Sequence, residues 1–294
     1  MIEHDECSIE RNAANVAQAS KAAWEAEASN TTQAAIRKAK HSAHGASAIS
    51  IAARLGNYSL TLANSESEIR EAQRLRYKVF AEEFGAELDG AIAGHDIDYD
   101  DDFCEHLIVR DIDEDRVVGT YRILAPHAAW AVGSYYSEKE FDLTRLAHLR
   151  PQMVETGRSC IHRDYRSGAV ISMLWSGLAS YMSQGNYGYL IGCASIAMAD
   201  GGHNAANVYL GLEAASKAPA EYSVFPLNRL PFEKLANGQE AVLPPLVKGY
   251  LRAGAWICGE PAWDPHFNSA DLLVLLPMAQ LKHRYARHFV KSKE

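Results

Sequence analysis

The chain has 294 residues, of which 48% are hydrophobic and 22% charged, so it has enough apolar material for a large core. Its formal net charge of −8 argues against a general nucleic-acid binder, whose affinity depends on neutralising phosphates. The five cysteines are scattered and contain no C-x-x-C pair, which argues against a disulfide framework and a zinc site.

The first 56 residues differ from the rest of the chain. They are rich in alanine and almost free of large aliphatic residues, which predicts a partly helical or disordered extension. We find no signal peptide there, and no stretch approaches the ~20 apolar residues of a membrane-spanning helix. We therefore expect a cytoplasmic protein. A helix that lies on a membrane surface is the more specific alternative for this extension.

The remainder, residues 57–294, is predicted to be one α/β domain with a mixed central sheet flanked by helices, because strand and helix patterns alternate. The predicted elements are a strand at 58–62, a helix at 66–84, a hairpin at 106–112 and 117–124, a strand at 154–161, a helix at 170–182, a strand at 189–196, a helix at 203–217, an irregular connection at 219–249, and strands at 249–259 and 272–276.

An acidic run, HDIDYDDDFCE, occupies residues 95–105. Its alternating aspartates resemble the start of a calcium loop. A calcium loop requires glycine at its sixth position and glutamate at its twelfth, but Asp101 and Leu107 stand there. The run therefore predicts either a solvated acidic loop or a site for a cationic substrate such as an amine.

Two arginines occupy apolar faces of predicted elements. Arg76 lies beside the apolar face of the first helix, which favours a surface arginine with a buried stem. Arg122 shares a strand face with Val118 and Leu124, where a charge is costly without an anionic partner. Arg122 is therefore expected to bind an anionic group or to form a structural ion pair with a nearby aspartate.

The stretch from Met153 to Gln184 contains the candidate chemistry. Gly157 within the predicted strand indicates a bulge or a close backbone approach. The turn at 163–169 precedes a helix, whose free N–H groups and dipole favour an anion such as a phosphate. Glu155 suits a general base for an attacking amine, and equally a salt-bridge partner of Arg158 or Arg122.

Several segments together resemble one known family. They are LRYKVFAEEFGA (75–86), CEHLIVRD (104–111), VVGTYRIL (117–124) and the stretch 153–184. They resemble the GNAT superfamily, in its acyltransferase branch of bacterial ornithine-lipid synthesis, and less closely the acyl-homoserine-lactone synthases. The resemblance implies a GNAT-like fold. It also implies transfer of a 3-hydroxyacyl chain to the α-amine of L-ornithine, which gives lyso-ornithine lipid.

The resemblance also implies roles for individual residues. Glu155 becomes the catalytic base, and the strand amides near Gly157 and Arg158 become donors to the oxyanion. The implied substrate-binding residues are Arg76, Phe80, Asp98, Asp101 and Arg122. The implied phosphate-binding loop consists of Arg163, Arg166, Ser167, Gly168 and Ala169, with Arg166 at the position where the family usually has a first glycine.

The resemblance implies an acyl-phosphopantetheine thioester as co-substrate and no tightly bound cofactor. The thioester would come from acyl carrier protein or from coenzyme A. Acyl carrier protein is acidic, so Arg150, Arg163, Arg166 and the basic tail at 282–293 are candidate docking groups. The same tail could instead contact an anionic membrane. Three alternatives stay open: acylation of another amine such as glutamine or lysine, a lactone synthase, and a non-enzymatic module that senses acyl thioester or lipid.

Overall fold

A mixed nine-stranded sheet organises the part of the chain that the computed structural model describes, residues 49–88 and 92–281. The strands follow the spatial order β1-β2-β3-β4-β6-β7-β11-β10, and β9 also pairs with β11. Only the pair β6–β7 is parallel. The strands of this sheet are β1 Ala52–Leu55, β2 Tyr58–Leu62, β3 Glu105–Asp111, β4 Arg116–Leu124, β6 Met153–Ile161, β7 Tyr189–Ala197, β9 Trp256–Ile257, β10 Ala262–Asp264 and β11 Ser269–Pro277. Strands β5 Phe141–Asp142 and β8 Phe225–Pro226 pair with each other in a separate two-stranded sheet.

Helices cover both faces of this sheet. One face carries α3, α4 and α6, and the other carries α1 with the segment around residues 128–149. The described helices are α1 Glu66–Tyr77, α2 Pro126–Val132, α3 Ala169–Gln184, α4 His203–Leu210, α5 Phe232–Leu235 and α6 Pro245–Ala253. A π-helical turn, Lys78–Glu83, continues α1. This arrangement confirms the α/β class and the mixed sheet.

Helix α3 connects the two parallel strands β6 and β7 and packs on the sheet through one apolar stripe. Val170, Leu174, Leu178 and Tyr181 recur at spacings of three and four residues and are buried. Gly177 lies on the same stripe. A Cβ there would come within 2.8 Å of a methyl group of Leu60, so glycine is what lets the helix approach the sheet closely.

Most predicted elements are confirmed. Strand β2 coincides with the predicted 58–62, the hairpin is β3–β4, and β6, α3, β7 and β11 lie where the pattern indicates. Ser65 caps α1 through its side chain, which accepts a hydrogen bond from the Glu68 N–H at 3.3 Å.

Two predictions near the C-terminal end are wrong. The helix predicted at 203–217 ends at Leu210, after which the backbone turns at Gly211. The strand predicted at 249–259 is instead helix α6 followed by the two-residue β9. Pro244 and Pro245 begin that helix, because proline is tolerated in a first turn. Their presence disguised the helical spacing of Val247, Tyr250 and Ala253, which are buried.

The sheet begins with β1 at Ala52, within the segment that the sequence assigned to the N-terminal extension. Its residues pair antiparallel with β2, from Ala52 opposite Thr61 to Leu55 opposite Tyr58. Residues 1–48 and the basic tail at 282–294 lie outside the described residues. The division into an extension and an acyltransferase domain stays a prediction.

Gly119→Ala tests the close approach of α3 to β4. A Cβ at Gly119 would lie 2.5 Å from Cγ1 of Val170 and 3.3 Å from Cδ1 of Leu174. We expect the free energy of unfolding to fall by about 1–3 kcal/mol, the usual cost of overpacking a core. Urea denaturation measures it. Gly157→Ala is the matched control, since a Cβ there meets nothing within 4 Å. Equal stability of the two variants would contradict this packing.

Candidate active site

A cavity of about 490 Å³ opens where β6 and β7 separate. The two strands pair in parallel only from Met153 opposite Tyr189 to Glu155 opposite Ile191. Beyond Glu155 they diverge, and the cavity wall is formed by 155–159 on β6 and 193–197 on β7. The gap in the sheet gives a ligand access to backbone groups that a neighbouring strand would otherwise occupy.

Glu155 lies in the wall of this cavity with only 4% of its surface exposed. Its carboxylate accepts hydrogen bonds from the backbone N–H groups of Tyr136 at 2.6 Å and Ser137 at 2.8 Å, and from the Ser137 hydroxyl. Burial raises the pKa of Glu155 above its ordinary value, although the bonds from Ser137 and Tyr136 act in the opposite direction. A buried carboxylate with a raised pKa, at the wall of a cavity, is suited to accept a proton.

Among the described residues, Glu155 forms no ion pair with Arg158 or Arg122, so the predicted salt-bridge alternative is wrong. Both arginines pair instead with aspartates of the acidic run. Arg122 contacts Asp98 at 2.6 Å and Asp101 at 3.0 Å, and Arg158 contacts Asp98 at 3.2 Å. The structural ion pair considered for Arg122 is therefore confirmed.

A β-bulge lies directly beyond Gly157. Arg122 of β4 faces Gly157, while Thr120 faces Cys160, so two residues of β6, Arg158 and Ser159, oppose a single residue of β4. Arg158 has a left-handed backbone with φ of +49°. A bulge leaves its extra residue out of the regular hydrogen-bonding pattern. The backbone N–H groups near Gly157 and Arg158 therefore stay candidate donors at the edge of the cavity, in the region that the sequence predicted.

The acidic run is folded against arginines and is not a solvated loop. Arg76 is fully buried and contacts Asp96 at 2.8 Å and Asp101 at 2.8 Å. Burial disfavours the charge of Asp101, yet Arg76 and Arg122 hold the pKa of its carboxyl well below its usual range. The sequence favoured a surface position for Arg76, and its complete burial shows that this expectation is wrong.

Asp100 belongs to the acidic run and lines the cavity, and it also has a basic partner. Its carboxylate contacts Lys139 Nζ at 2.8 Å. Of the five predicted substrate-binding residues, Phe80 and Arg122 line the cavity. Arg76, Asp98 and Asp101 lie behind the wall, where they hold Arg122 and Arg158 in place.

The predicted phosphate loop lies at the N-terminus of α3. Gly168, with φ of +103°, is the N-cap and leaves the helix end without a side-chain cap, and Ala169 is the first helical residue. Arg163 is exposed and forms no ion pair or hydrogen bond with any residue that the structure describes. Arg166, the departure from the family pattern, contacts Glu83 at 2.8 Å and donates from Nε to the Ile161 carbonyl at 3.0 Å. Its side chain is thus occupied by protein groups.

This loop does not line the cavity, but one aromatic side chain links the two. Phe84 lies in the cavity wall and 5.9 Å from the Arg166 guanidinium. Ser167 is exposed at the turn between Arg166 and the helix. Phe84 thus connects the loop with the cavity that Glu155 lines.

Four functional candidates escaped the sequence reasoning. Tyr136 and Ser137 donate to Glu155 from a segment that carries no periodic pattern. Asp264 and Asp271 are buried carboxylates in the cavity wall. A usable signal existed for Asp271, because it shares a strand face with Leu273 and Leu275, as Arg122 does with Leu124.

An acetyltransferase (GNAT) domain is recognised over residues 75–176. This range contains the C-terminal end of α1, the β3–β4 hairpin, the bulged strand β6 and the N-terminal half of α3. The fold and the cavity therefore define an acyltransferase of the GNAT type.

Curated relatives narrow this class. The chain is 35% identical to the L-ornithine N(alpha)-acyltransferase of Agrobacterium fabrum, across 80% of this chain and 86% of that protein. It is 34% identical to the enzyme of the same name from Brucella abortus, across 81% of this chain and 91% of that protein. The chain belongs to the family of L-ornithine N(alpha)-acyltransferases. Family membership sets aside the non-enzymatic sensor alternative.

Among solved structures, the chain is similar to a CoA-dependent acyl-homoserine lactone synthase, BjaI. The identity is 16%, the TM-score is 0.47, and the match covers 76% of this chain and 81% of that chain. Separately, none of the helices in residues 49–88 and 92–281 is long and apolar enough to cross a membrane.

Asp101→Asn tests whether the buried ion cluster is structural. The change keeps the shape of the side chain but removes the charge that Arg76 and Arg122 share, so we expect the free energy of unfolding to fall by about 3–5 kcal/mol. Thermal or urea denaturation measures the loss. Asp115→Asn is the control, because Asp115 pairs with Arg110 while 89% exposed, and should cost less than about 1 kcal/mol. Equal losses of unfolding free energy in the two variants would contradict a structural role for the buried ion cluster.

Proposed function

We propose that this protein transfers a 3-hydroxyacyl chain from acyl carrier protein to the α-amine of L-ornithine, forming lyso-ornithine lipid. The observation that carries the proposal is the buried carboxylate of Glu155, with its raised pKa, at the point where β6 and β7 separate. The names of the relatives supply ornithine as the acceptor, and the amino acid would bind in the cavity that Glu155 lines.

Catalysis would begin with removal of a proton from the α-ammonium by Glu155, directly or through water. The free amine then attacks the thioester carbonyl, forming a C–N bond. Backbone N–H groups at the bulge near Gly157 and Arg158 stabilise the oxyanion of the tetrahedral intermediate. The intermediate collapses as the C–S bond breaks, and the thiolate leaves and takes up the second proton that the attacking nitrogen loses as the amide forms. Glu155 then returns its proton to solvent.

The cationic part of the cavity wall suits the α-carboxylate of the amino acid. Arg122 and Arg158 both line the cavity, and the Arg158 guanidinium lies 4.4 Å from the centre of the Phe267 ring. The aspartates behind these arginines fix their positions, so their charges face the cavity without being free to move. Such preorganised charge orients a substrate at little cost when it binds.

The acyl donor would approach from the N-terminus of α3. Its pantetheine phosphate would meet the free N–H groups at Gly168 and Ala169, with Arg163 as the unpaired cation beside them. Arg150, Arg163 and Arg166 stay the candidate docking groups for an acidic carrier protein among the described residues, and the tail at 282–293, which the structure does not describe, is a further candidate. Coenzyme A is the alternative donor, because it has the same pantetheine phosphate.

Two further parts of the proposal concern the acceptor and the location. Glutamine or lysine as acceptor, or lactone synthesis, is the alternative within acyl transfer. Incubation of the enzyme with 3-hydroxyacyl carrier protein and a panel of amino acids, followed by mass spectrometry, identifies the acceptor.

We propose a cytoplasmic enzyme with peripheral contact to anionic lipid through its basic tail.

Glu155→Gln tests the proposed base. The amide retains the shape of the side chain but cannot accept the proton, so we expect kcat/KM for ornithine to fall by roughly 100-fold or more. The wild-type rate should decrease as pH falls through the raised pKa of Glu155, because the protonated carboxyl is no base. That dependence should disappear in the variant.

The fold should survive this change. Because burial raises the pKa of Glu155, its ionised form is destabilising in the folded state, and a neutral amide removes that cost. The amide NH2 group cannot accept one of the bonds that Tyr136 and Ser137 donate, so thermal denaturation is measured beside the kinetics. Glu114→Gln, on the exposed β3–β4 turn, is the matched control. Unchanged product formation by Glu155→Gln would remove this residue from the mechanism.

Arg163→Ala tests the donor route. Loss of the unpaired cation should raise KM for the acyl donor several-fold and leave KM for ornithine unchanged, since the loop does not line the cavity. Steady-state kinetics with acyl carrier protein and acyl-coenzyme A as donors measure both constants. Arg145→Ala, remote from the loop on the segment at 144–152, is the control. An effect on ornithine alone would contradict the donor route.

A further inference from the structure

Two carboxylates in the cavity wall have no cationic partner. Asp264 on β10 and Asp271 on β11 are each only 3% exposed, and both line the cavity that contains Glu155. Neither forms an ion pair with a basic side chain in the part of the chain that the structure describes. The aspartates of the acidic run at 95–105 that line or support the cavity, in contrast, are paired with arginine or lysine.

The hydrogen bonds to these carboxylates leave room for a ligand. Oδ1 of Asp264 accepts from the backbone N–H groups of His266 at 2.8 Å and Phe267 at 3.2 Å, while its Oδ2 accepts nothing from the described residues. Oδ1 of Asp271 accepts from the Ser269 hydroxyl at 2.9 Å, and the Ser195 hydroxyl also donates to this carboxylate. A buried carboxylate without a positive partner is costly, and a bound cation would offset that cost.

The electrostatics of this corner are consistent with a missing cation. Burial raises the pKa of Asp271 to about 6. Nearby Glu140 has its pKa raised to about 7, by burial first and then by the charges of Asp264 and Asp271. The charge of Asp264 thus raises the pKa of both Asp271 and Glu140, while Arg158 lowers that of Asp271 and Lys139 lowers that of Glu140.

The register of the sheet puts this corner on the same face as Glu155. Glu155 is opposite Ile191, and Asp271 is opposite Ser195, so both belong to the face that carries Ile191, Cys193 and Ser195. Ile191 and Ser195 are four residues apart. At about 3.3 Å per residue and about 4.8 Å per strand, Asp271 lies about 13 Å beyond Glu155 along the strands and about 10 Å to its side, which separates their Cα atoms by about 16 Å.

An extended ornithine covers most of this separation, and the side chains of Glu155 and Asp271, which both line the cavity, cover the rest. The two nitrogens of ornithine are about 6 Å apart by standard bond lengths, and a hydrogen bond of about 2.8 Å at each end gives a total of about 12 Å. We propose that Asp264 and Asp271 bind the side-chain ammonium of the acceptor amino acid and thereby select a diamino acid of ornithine length. This inference rests on the proposed function.

An ammonium fits this corner better than a metal ion does. Within residues 49–88 and 92–281, no group of three or more histidine, cysteine or acidic side chains could hold a metal. Two carboxylates with a neighbouring serine hydroxyl supply acceptors for the three donors of an ammonium. The cationic substrate that the sequence placed on the run at 95–105 is thus assigned to a different set of carboxylates.

Asp271→Asn and Asp264→Asn test the assignment with four acceptors: ornithine, norvaline, 2,4-diaminobutyrate and lysine. Norvaline has the carbon chain of ornithine without the side-chain ammonium. For the wild type we expect ornithine to be acylated most efficiently of the four. In either variant, kcat/KM for ornithine should fall at least 30-fold, mainly through KM, whereas kcat/KM for norvaline should change less than threefold. Asp115→Asn, on the exposed β3–β4 turn, is the control.

Other outcomes have distinct meanings. A wild-type enzyme that acylates ornithine, with variants that keep the preference for ornithine over norvaline, would overturn the assignment and leave the proposed function intact. Equal losses for ornithine and norvaline would also overturn it, because they indicate a purely structural role. A wild-type enzyme that acylates no amino acid would instead overturn the proposed function. Calorimetric titration of ornithine into the wild type and both variants checks binding separately, and equal affinities would contradict the assignment.

Discussion

The separation of β6 from β7 beyond Glu155 is the constraint on which the rest of the site depends. Parallel strands normally continue to pair, and their backbone groups then have no room for a ligand. Here the pairing of β6 with β7 stops after three residues on each strand. On the other edge of β6, where it pairs with β4, a bulge lies at Arg158 and Ser159. The cavity, the position of the candidate base Glu155 in its wall and the candidate oxyanion donors all arise from these two irregularities in the sheet.

A second constraint is the placement of charge around that cavity. The cluster of Arg76, Asp96 and Asp101 contacts no ligand-accessible space, yet it fixes Arg122 through shared carboxylates. A buried ion cluster of this kind is seldom a net source of stability. Its value here lies in holding two guanidinium groups at the cavity wall, where Asp264 and Asp271 form no ion pair with any basic side chain that the structure describes. The wall therefore carries both positive and negative groups, and the proposed diamino-acid substrate would use both.

Much of the architecture could be predicted from the sequence because its signals are local. The periodicity of α3, the alternation in β2 and the capping serine of α1 each depend on residues close together in the chain. Helix α6 was missed because two prolines precede its short apolar stripe. Cavity partners were missed for a different reason: Tyr136 and Ser137 reach Glu155 across 18 or 19 residues of irregular chain. Arg122 was identified by the cost of a charge on an apolar strand face, and the same argument applied to Asp271 would have found it.

The central claim is that Glu155 activates the α-nitrogen of ornithine while the far corner of the cavity holds the side-chain nitrogen. The most direct measurement is tandem mass spectrometry of the product formed from L-ornithine and 3-hydroxyacyl carrier protein, which locates the acyl group on one nitrogen or the other. The account predicts acylation of the α-nitrogen alone. A product acylated on the δ-nitrogen would contradict it, because the ammonium proposed to bind Asp264 and Asp271 would then be the one that reacts.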